Sequence, residues 1–480
     1  MNALLAFPLD LPPRGRLEAL HGQLRAAILD GRLAGGHSLP STRALAVSLG
    51  VSRNTVVAAY DRLLSEGYVS ARHGSGYAVA SGLARTQAKV ASGIGGDRRL
   101  APHWRHAVMP ARTGAPASYR HDLRVGFPDA SRFPFDVWRR LSARALRSLS
   151  NKVGTYHMPE GRRPLREAIA GHVSFARAVT CGVDDVVVTS GAQQAFDLLA
   201  RILVTPGRTV VAVEDPGYPP LRAAFEATGA SVVPVPVDAD GLVVEQIPPA
   251  ARVIYVTPSH QFPLGMVMSP ARRMALLEFA RRHGAVVIED DYDGEFRYGG
   301  RPLDALQTLD REGRVFYVGT FSKSLFPALR LGYVVAPPWA LAALAQARQV
   351  CDWHADVLAQ DTLALFIAEG HLARHVRKMR RIYAERREAL IHGLVRHAGK
   401  LLTLQASDAG LHVAALLPPG LHADELVQRA VAQDMRIEAL SGYAIGETAP
   451  NGLVFGLGTL PVARMEDATQ MLGRLLRESR

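Results

Sequence analysis

The chain has 480 residues, 48% hydrophobic and 21% charged, with a formal net charge of +12. That is an ordinary globular balance for about two to four domains, and it excludes wholesale disorder, collagen and coiled-coil arrays. No run is long and apolar enough for a membrane helix, and the first residues lack the charged segment of a signal peptide. Cys181 and Cys351 form neither a metal spacing nor a disulfide framework. A soluble cytoplasmic protein is expected, with no membrane and no metal.

The positive charge suits an anionic partner such as nucleic acid, although genomic codon bias toward arginine explains it as readily. Only five of the 56 cationic residues are lysines: Lys89, Lys152, Lys323, Lys378 and Lys400. Chemistry that needs a lysine therefore has five candidates. Residues 1–82 carry a net +3, residues 83–117 a net +5, and the remaining three quarters of the chain a net +4.

In chain order, Leu17, Leu20, Leu24 and Ile28 are spaced as in an amphipathic helix. Ser41 is a suitable N-cap for a short second helix to Leu49, and Gly50 makes a turn. Ser52 can cap a third helix carrying Val56, Tyr60 and Leu63. Tyr68–Ala71 and Tyr77–Ala80 then read as a hairpin around Arg72-His73-Gly74-Ser75-Gly76. Three helices and a two-stranded wing form a winged helix-turn-helix pattern. Its third helix opens on Ser52-Arg53-Asn54-Thr55, types that contact phosphates or base edges. Composition alone leaves a small helical dimerisation bundle open as the alternative. Residues 83–117 show no sustained periodicity and read as a basic flexible linker.

From residue 118 onward, short β-branched runs alternate with helical patterns, among them Val186–Val188, Val210–Val213, Val253–Val256, Ala285–Ile288 and Val315–Val318. An α/β domain with a mostly parallel sheet is expected. A long arginine-rich helix over 371–397, a strand near Leu411–Leu417 and helices near 423–433 and 463–477 suggest a smaller C-terminal α+β lobe.

Polar motifs follow the strand ends, where open α/β sheets hold ligands. Ser190-Gly191-Ala192-Gln193 feeds a helix N-terminus, a natural phosphate seat that also occurs as plain packing. Glu289-Asp290-Asp291-Tyr292 places carboxylates at a buried strand end, where they need a partner such as a pyridinium nitrogen, unless the turn is solvated. Thr320-Phe321-Ser322-Lys323 places a lysine beside hydroxyls after a buried strand, where its amine can serve a Schiff base. Lysine, carboxylate and phosphate seat together fit pyridoxal 5′-phosphate (PLP).

The string from Leu39-Pro40-Ser41 through Arg43, Leu49-Gly50-Val51-Ser52-Arg53 and Thr55 to Glu66-Gly67 resembles the GntR-type winged helix over about residues 15–80. The resemblance implies binding of a double-stranded DNA operator. DNA-facing roles follow for Ser41, Arg43, Ser52, Arg53, Asn54, Thr55, Arg72 and Gly76. Gly126-x-Pro128-Asp129, Tyr156-x-x-Pro159-x-Gly161, Glu214-x-Pro216-x-Tyr218 and Gly319-Thr320-Phe321-Ser322-Lys323 resemble fold type I aminotransferases. The Ser259-His260-Gln261-Phe262-Pro263 and Glu289-Asp290-Asp291-Tyr292-Asp293 versions look like the MocR/GabR regulators, which fuse both modules in this order.

That resemblance implies a winged-helix domain over 1–82, the linker over 83–117 and an aminotransferase-like domain over 118–480. It implies PLP bound as a Schiff base by Lys323, Asp290 on the pyridinium nitrogen, Tyr292 on the ring 3′-oxygen and Tyr218 stacked on the ring. Gly191, Ala192, Gln193, Thr320, Ser322 and Arg330 would hold the phosphate. It further implies a head-to-tail homodimer and a regulator that senses PLP, an amino acid or an amine. An active aminotransferase with an accessory DNA-binding domain is the alternative. One departure bears on this choice: Asn451-Gly452-Leu453-Val454 carries Val454 where amino-acid-binding relatives often hold the α-carboxylate with arginine.

Overall fold

A computed structural model describes residue 5, residues 7–72, 76–81, 99, 104, 119–150, 155–299, 303–405, 407–445 and 449–479. The side chain of Arg72, together with His73, Lys89, Lys152 and almost all of the 83–117 segment, lies outside the described residues. The chain divides into two units, Met1–Ile94 and Gly95–Arg480.

In the first unit, helices α1 (Arg16–Leu29), α2 (Thr42–Leu49) and α3 (Arg53–Ser65) precede the hairpin β1 (Val69–Arg72) and β2 (Gly76–Val79). The expected periodicity buries Leu20, Leu24 and Ile28 of α1 against Val56, Tyr60 and Leu63 of α3. The strands pair antiparallel from Val69↔Val79 to Arg72↔Gly76. Tyr60 anchors this core, donating its hydroxyl to the Pro40 carbonyl at 2.9 Å.

The second unit begins with β3 (His121–Asp122), then α4 (Phe135–Ser150) and α5 (Arg163–Arg177). Alternation follows: β4 (Val186–Thr189), α6 (Ala192–Leu203), β5 (Val210–Asp215), α7 (Pro219–Ala227), β6 (Ser231–Asp238), β7 (Gly241–Leu242), β8 (Ala251–Val256), α8 (Pro270–His283), β9 (Val286–Asp291), β10 (Val315–Thr320) and β11 (Gly332–Val335). These strands form one sheet in the order β4-β11-β10-β9-β8-β5-β6-β7. The pairs β10/β9, β9/β8, β8/β5 and β5/β6 are parallel, while β11 runs antiparallel between β10 and β4. Nearly continuous apolar strands result because helices cover both faces. Leu198, Leu199 and Leu344 pack on one side of the sheet, and Leu276 and Ala280 on the other.

The C-terminal lobe follows α9 (Pro338–Asp352), α10 (Val357–Ala368) and the 28-residue α11 (His371–Ala398). It contains β12 (Thr403–Leu404), β13 (His412–Leu416), α12 (Ala423–Ala432), β14 (Met435–Arg436), β15 (Glu438–Ala439), β16 (Gly452–Gly456) and α13 (Met465–Glu478). Its sheet, β12-β13-β16-β15, is packed by Leu390, Leu426 and Leu472. No described helix is long and apolar enough to cross a membrane.

Candidate functional site

The carboxyl ends of β4, β5, β8, β9 and β10 lead into the polar motifs along one edge of the large sheet. At the end of β9, two adjacent aspartates are sent to opposite faces by strand alternation. Asp291 accepts from Arg177 Nε at 2.6 Å and from the Tyr317 hydroxyl at 2.5 Å, so its charge is fully partnered. Asp290 accepts only from the Tyr255 hydroxyl at 2.8 Å, and its buried Oδ1 has no partner. Burial pushes the Asp290 carboxyl up to about 7, against the opposing pull of the Lys323 charge. An orphaned buried acceptor costs about 1–3 kcal/mol, so this oxygen is available to a cationic or proton-donating ligand group.

Lys323 stands three residues beyond β10, and its Nζ donates to the Gly126 carbonyl at 2.6 Å. Gly126 has φ +84, and a Cβ there would sit 3.0 Å from Nζ, so the space over the amine exists because the residue is glycine. Among the described lysines, Lys323 is the one whose charge acts on the orphaned aspartate.

The turn expected to seat a phosphate lies where α6 begins. Gly191 caps the helix with φ +85, a conformation that favours glycine. A Cβ on Gly191 would stand 2.9 Å from Arg330 Nη1, which places the guanidinium directly over the turn. Arg330 Nη2 also donates to the Ser190 carbonyl at 2.5 Å. Gly332, opposite Thr320 in the β10–β11 register, leaves room for Gly191, bringing the end of β10 beside the turn. There the Thr320 and Ser322 hydroxyls lie 3.0 Å apart. The Gln193 side chain turns away to the Pro220 carbonyl at 3.0 Å, so Ala192 and Gln193 present backbone N–H groups only.

Tyr218 precedes α7 and meets Phe196 and Phe262 edge-on at 6.2 and 5.5 Å between ring centroids. Tyr292 donates its hydroxyl to the His260 carbonyl at 3.0 Å and lies 2.8 Å from His260 Nδ1. That nitrogen is also 3.1 Å from the Asp293 carboxylate. Residue types alone did not reveal Tyr255, Arg177, His260 or Asp293 as supports of the site. Alternation in β9 could have separated Asp290 from Asp291, but their partners come from other strands and from α5. His260, Asp293 and His412 also offer three ligand atoms within 4.8 Å of one another, with His412 Nε2 engaged 3.0 Å from the Pro263 carbonyl.

Val454, on β16, is wholly buried with Val125, Phe262 and Leu440, beside Tyr218 and Tyr292. Directly opposite it on β15 stands Glu438. The Glu438 carboxylate accepts from the Val125 N–H at 3.1 Å and from the Tyr443 hydroxyl. An acid, not a guanidinium, is the strand partner of Val454, with Arg124 and Arg436 acting on the Glu438–Tyr443 pair from beside it.

In the first unit, Ser41 caps α2 by accepting from the Ala44 N–H at 3.2 Å, and Ser52 caps α3 by accepting from Thr55 N–H at 3.1 Å. Thr55 is held 2.8 Å from the Ser52 hydroxyl. Arg43, Arg53 and Asn54 are exposed, and Arg53 Nε reaches Thr42 at 3.5 Å. Gly76 starts the second wing strand opposite Arg72. The opening turn of α3 therefore presents cationic and amide side chains to solvent beside two serines that are already used as caps.

A winged-helix unit joined to an open α/β unit, with Lys323 and Asp290 at the strand ends along one sheet edge, defines a two-module protein. Residues 17–79 match the family of bacterial regulatory proteins of the gntR type, and residues 122–448 match aminotransferase class I and II. The chain is 37% identical to the probable rhizopine catabolism regulatory protein MocR of Rhizobium meliloti, over 94% of this chain and 92% of that one. It is 34% identical to the pyridoxine biosynthesis regulator PdxR of Corynebacterium glutamicum, over 91% and 90%. Its fold resembles the kynurenine aminotransferase of Pyrococcus horikoshii, with TM-score 0.70 and 27% identity over 76% of this chain and 92% of that one. It also resembles LysN of Thermus thermophilus complexed with a phosphopyridoxyl-leucine, with TM-score 0.69 and 30% identity over 75% and 92%. The chain belongs to the MocR family of transcription regulators, with a GntR winged helix fused to a class I and II aminotransferase domain.

Proposed function

We propose that this DNA-binding regulator reads its operator with the first unit and senses PLP, alone or with an amine, at Lys323 of the second. The observation that carries the reading is the buried, unpartnered Oδ1 of Asp290 in the same field as Lys323. An anion there asks for a protonated ring nitrogen, while the lysine amine suits an aldehyde. PLP supplies an electrophilic carbonyl and an electron-withdrawing ring when bound. Asp290 would hold the ring nitrogen, Tyr218 would cover the ring and Tyr292 would reach its 3′-oxygen. Gly191, the backbone of Ala192 and Gln193, Thr320, Ser322 and Arg330 would hold the phosphate, to which a guanidinium and a helix N-terminus are both suited.

The reading as regulator rather than sustained enzyme is supported by Val454 and Glu438. An apolar side chain cannot clamp a carboxylate, and a neighbouring acid repels one. An effector without an α-carboxylate, or PLP itself, suits the site better than an α-amino acid. The intact lysine, aspartate and phosphate seat still permit a single half-transamination. Reader domain 1–82, linker 83–117 and effector domain 118–480 are the proposed division, with Ser41, Arg43, Ser52, Arg53, Asn54, Thr55, Arg72 and Gly76 at the DNA. A homodimer is supported by exposed Tyr156, Met158 and Trp353, with the Tyr156 and Trp353 rings 4.5 Å apart.

The test is an absorbance spectrum of the purified protein with PLP, repeated with a panel of amino acids and amines. The wild type should show the near-visible band of a lysine-bound cofactor, and Lys323→Ala should lose it. Persistence of the band in the variant would refute the lysine assignment. Multiple turnovers of keto acid would favour the enzyme reading.

A further inference from the structure

Among the described residues outside this site, a dense run of cations lies along α11. Arg374, Arg377, Lys378, Arg380 and Arg381 of that helix, with Arg297, line a cleft of about 740 Å³ whose other walls are Tyr298 and Ala384. Among the described residues no carboxylate lines it. Arg377, Lys378, Arg380 and Arg381 are exposed, and none makes a hydrogen bond or ion pair with another described residue. The Nε of Arg297 is buried without a partner. On other helices several exposed arginines sit against an acid one turn away, as in Arg163–Glu167, Arg201–Asp197 and Arg282–Glu278.

Positions 374, 377, 378 and 381 are three and four apart, so like charges meet on one helix face and repel. Such a cluster gains only when an anion enters. A second hollow of about 270 Å³ shares Tyr298 and Ala384 and continues the trough past Arg387 to His392, with Glu388 on its wall. From Arg374 to His392 the helix advances roughly 27 Å at its usual rise. A single phosphate needs far less; the length suits the regularly spaced charges of a duplex backbone, about 3.4 Å apart along each strand.

We propose that this trough is a second, sequence-independent DNA site, taking the phosphate backbone of duplex continuous with the operator. The proposal rests on the first unit being a DNA reader: a duplex held there is presented to the rest of the same chain at high effective concentration.

The full-length protein is titrated by fluorescence anisotropy with a duplex of about 40 base pairs of random sequence, from roughly 50 to 200 mM salt. Wild type is compared with R377Q/R381Q and with the conservative R377K/R381K. If each cation meets one phosphate, R377Q/R381Q should flatten the slope of log affinity against log salt by about 1.8 and weaken binding severalfold. R377K/R381K should keep the slope, and both should keep the PLP absorbance band. A glutamine variant with unchanged slope and affinity overturns the proposal. So does stoichiometric calorimetric binding of tripolyphosphate to wild type, lost in R377Q/R381Q, with an unchanged DNA slope; the cleft would then take a small anion. Reader failure is distinguishable: R53A should weaken binding without altering the contribution of residues 377 and 381, whereas a wild-type chain with no DNA affinity overturns both assignments.

Discussion

Asp290 and Asp291 differ by one position and have opposite fates. Asp291 is hydrogen-bonded by Arg177 and Tyr317, while Asp290 keeps one oxygen without a partner. Burial holds the Asp290, Glu214 and Glu289 carboxyls up to about 7 in the folded chain, against an unfolded value near 4. Between those values the folded state binds more protons. The protonated form's stabilising contribution is complete below the unfolded pKa and is lost as pH rises through the folded one. These three carboxyls should therefore lower the melting temperature of the cofactor-free protein at pH 8 relative to pH 5, opposed by His375 and His412, which burial pushes down to about 4 and about 3. Asp290→Asn should shrink that difference, because Glu214 and Glu289 alone would remain. The same variant should bind PLP at least about tenfold more weakly, through loss of a charge-assisted hydrogen bond. Differential scanning calorimetry and a PLP titration check both, and an unchanged pH difference would refute the assigned role of Asp290 in stability.

At the scale of elements, the reader's serines illustrate how one residue type serves two purposes. Ser52 caps α3, so Ser52→Ala should cost about 1 kcal/mol of first-unit stability and lower its melting temperature. Arg53→Ala and Asn54→Ala remove exposed side chains with no cap role. They should leave the melting temperature nearly unchanged and weaken operator binding by about 1–3 kcal/mol for a lost base contact. Calorimetry and anisotropy together separate fold from recognition. The helices, caps and wing were legible because 3.6-residue periodicity, Ser at N-cap positions and Gly at turns are local signals. The antiparallel insertion of β11 between β10 and β4 was not legible, because strand order depends on pairing across distant chain segments. Nor were the short partners β12 and β15, whose two residues each carry no periodicity.

For the whole molecule, regulation requires that ligand binding favour one arrangement of the chain over another, and the shift cannot exceed the differential affinity. If PLP is the signal, operator affinity should change when PLP is added and not when it is added to Lys323→Ala. If an amine is the signal, the change should require both. Anisotropy with the operator duplex, titrated with each ligand, decides between them. Light scattering of the full-length chain should give a dimer mass, with Trp353→Glu shifting it toward monomer through an ion placed in the exposed aromatic patch.

Much of the expected chemistry was read from the order of residues alone. The scarcity of lysine pointed to Lys323, the strand-end motifs pointed to the carboxylate and to the turn proposed for the phosphate, and the two composite strings identified the family. These signals are local and survive without a fold. The tertiary structure decided which aspartate is free, because only packing brings Arg177 and Tyr317 to Asp291 and leaves Asp290 facing Tyr255. It also decided that Glu438 stands across from Val454, and that the arginines of α11 meet Arg297 around one cleft. Desolvation and charge pairing depend on neighbours distant in sequence, and those neighbours exist only once the chain has folded.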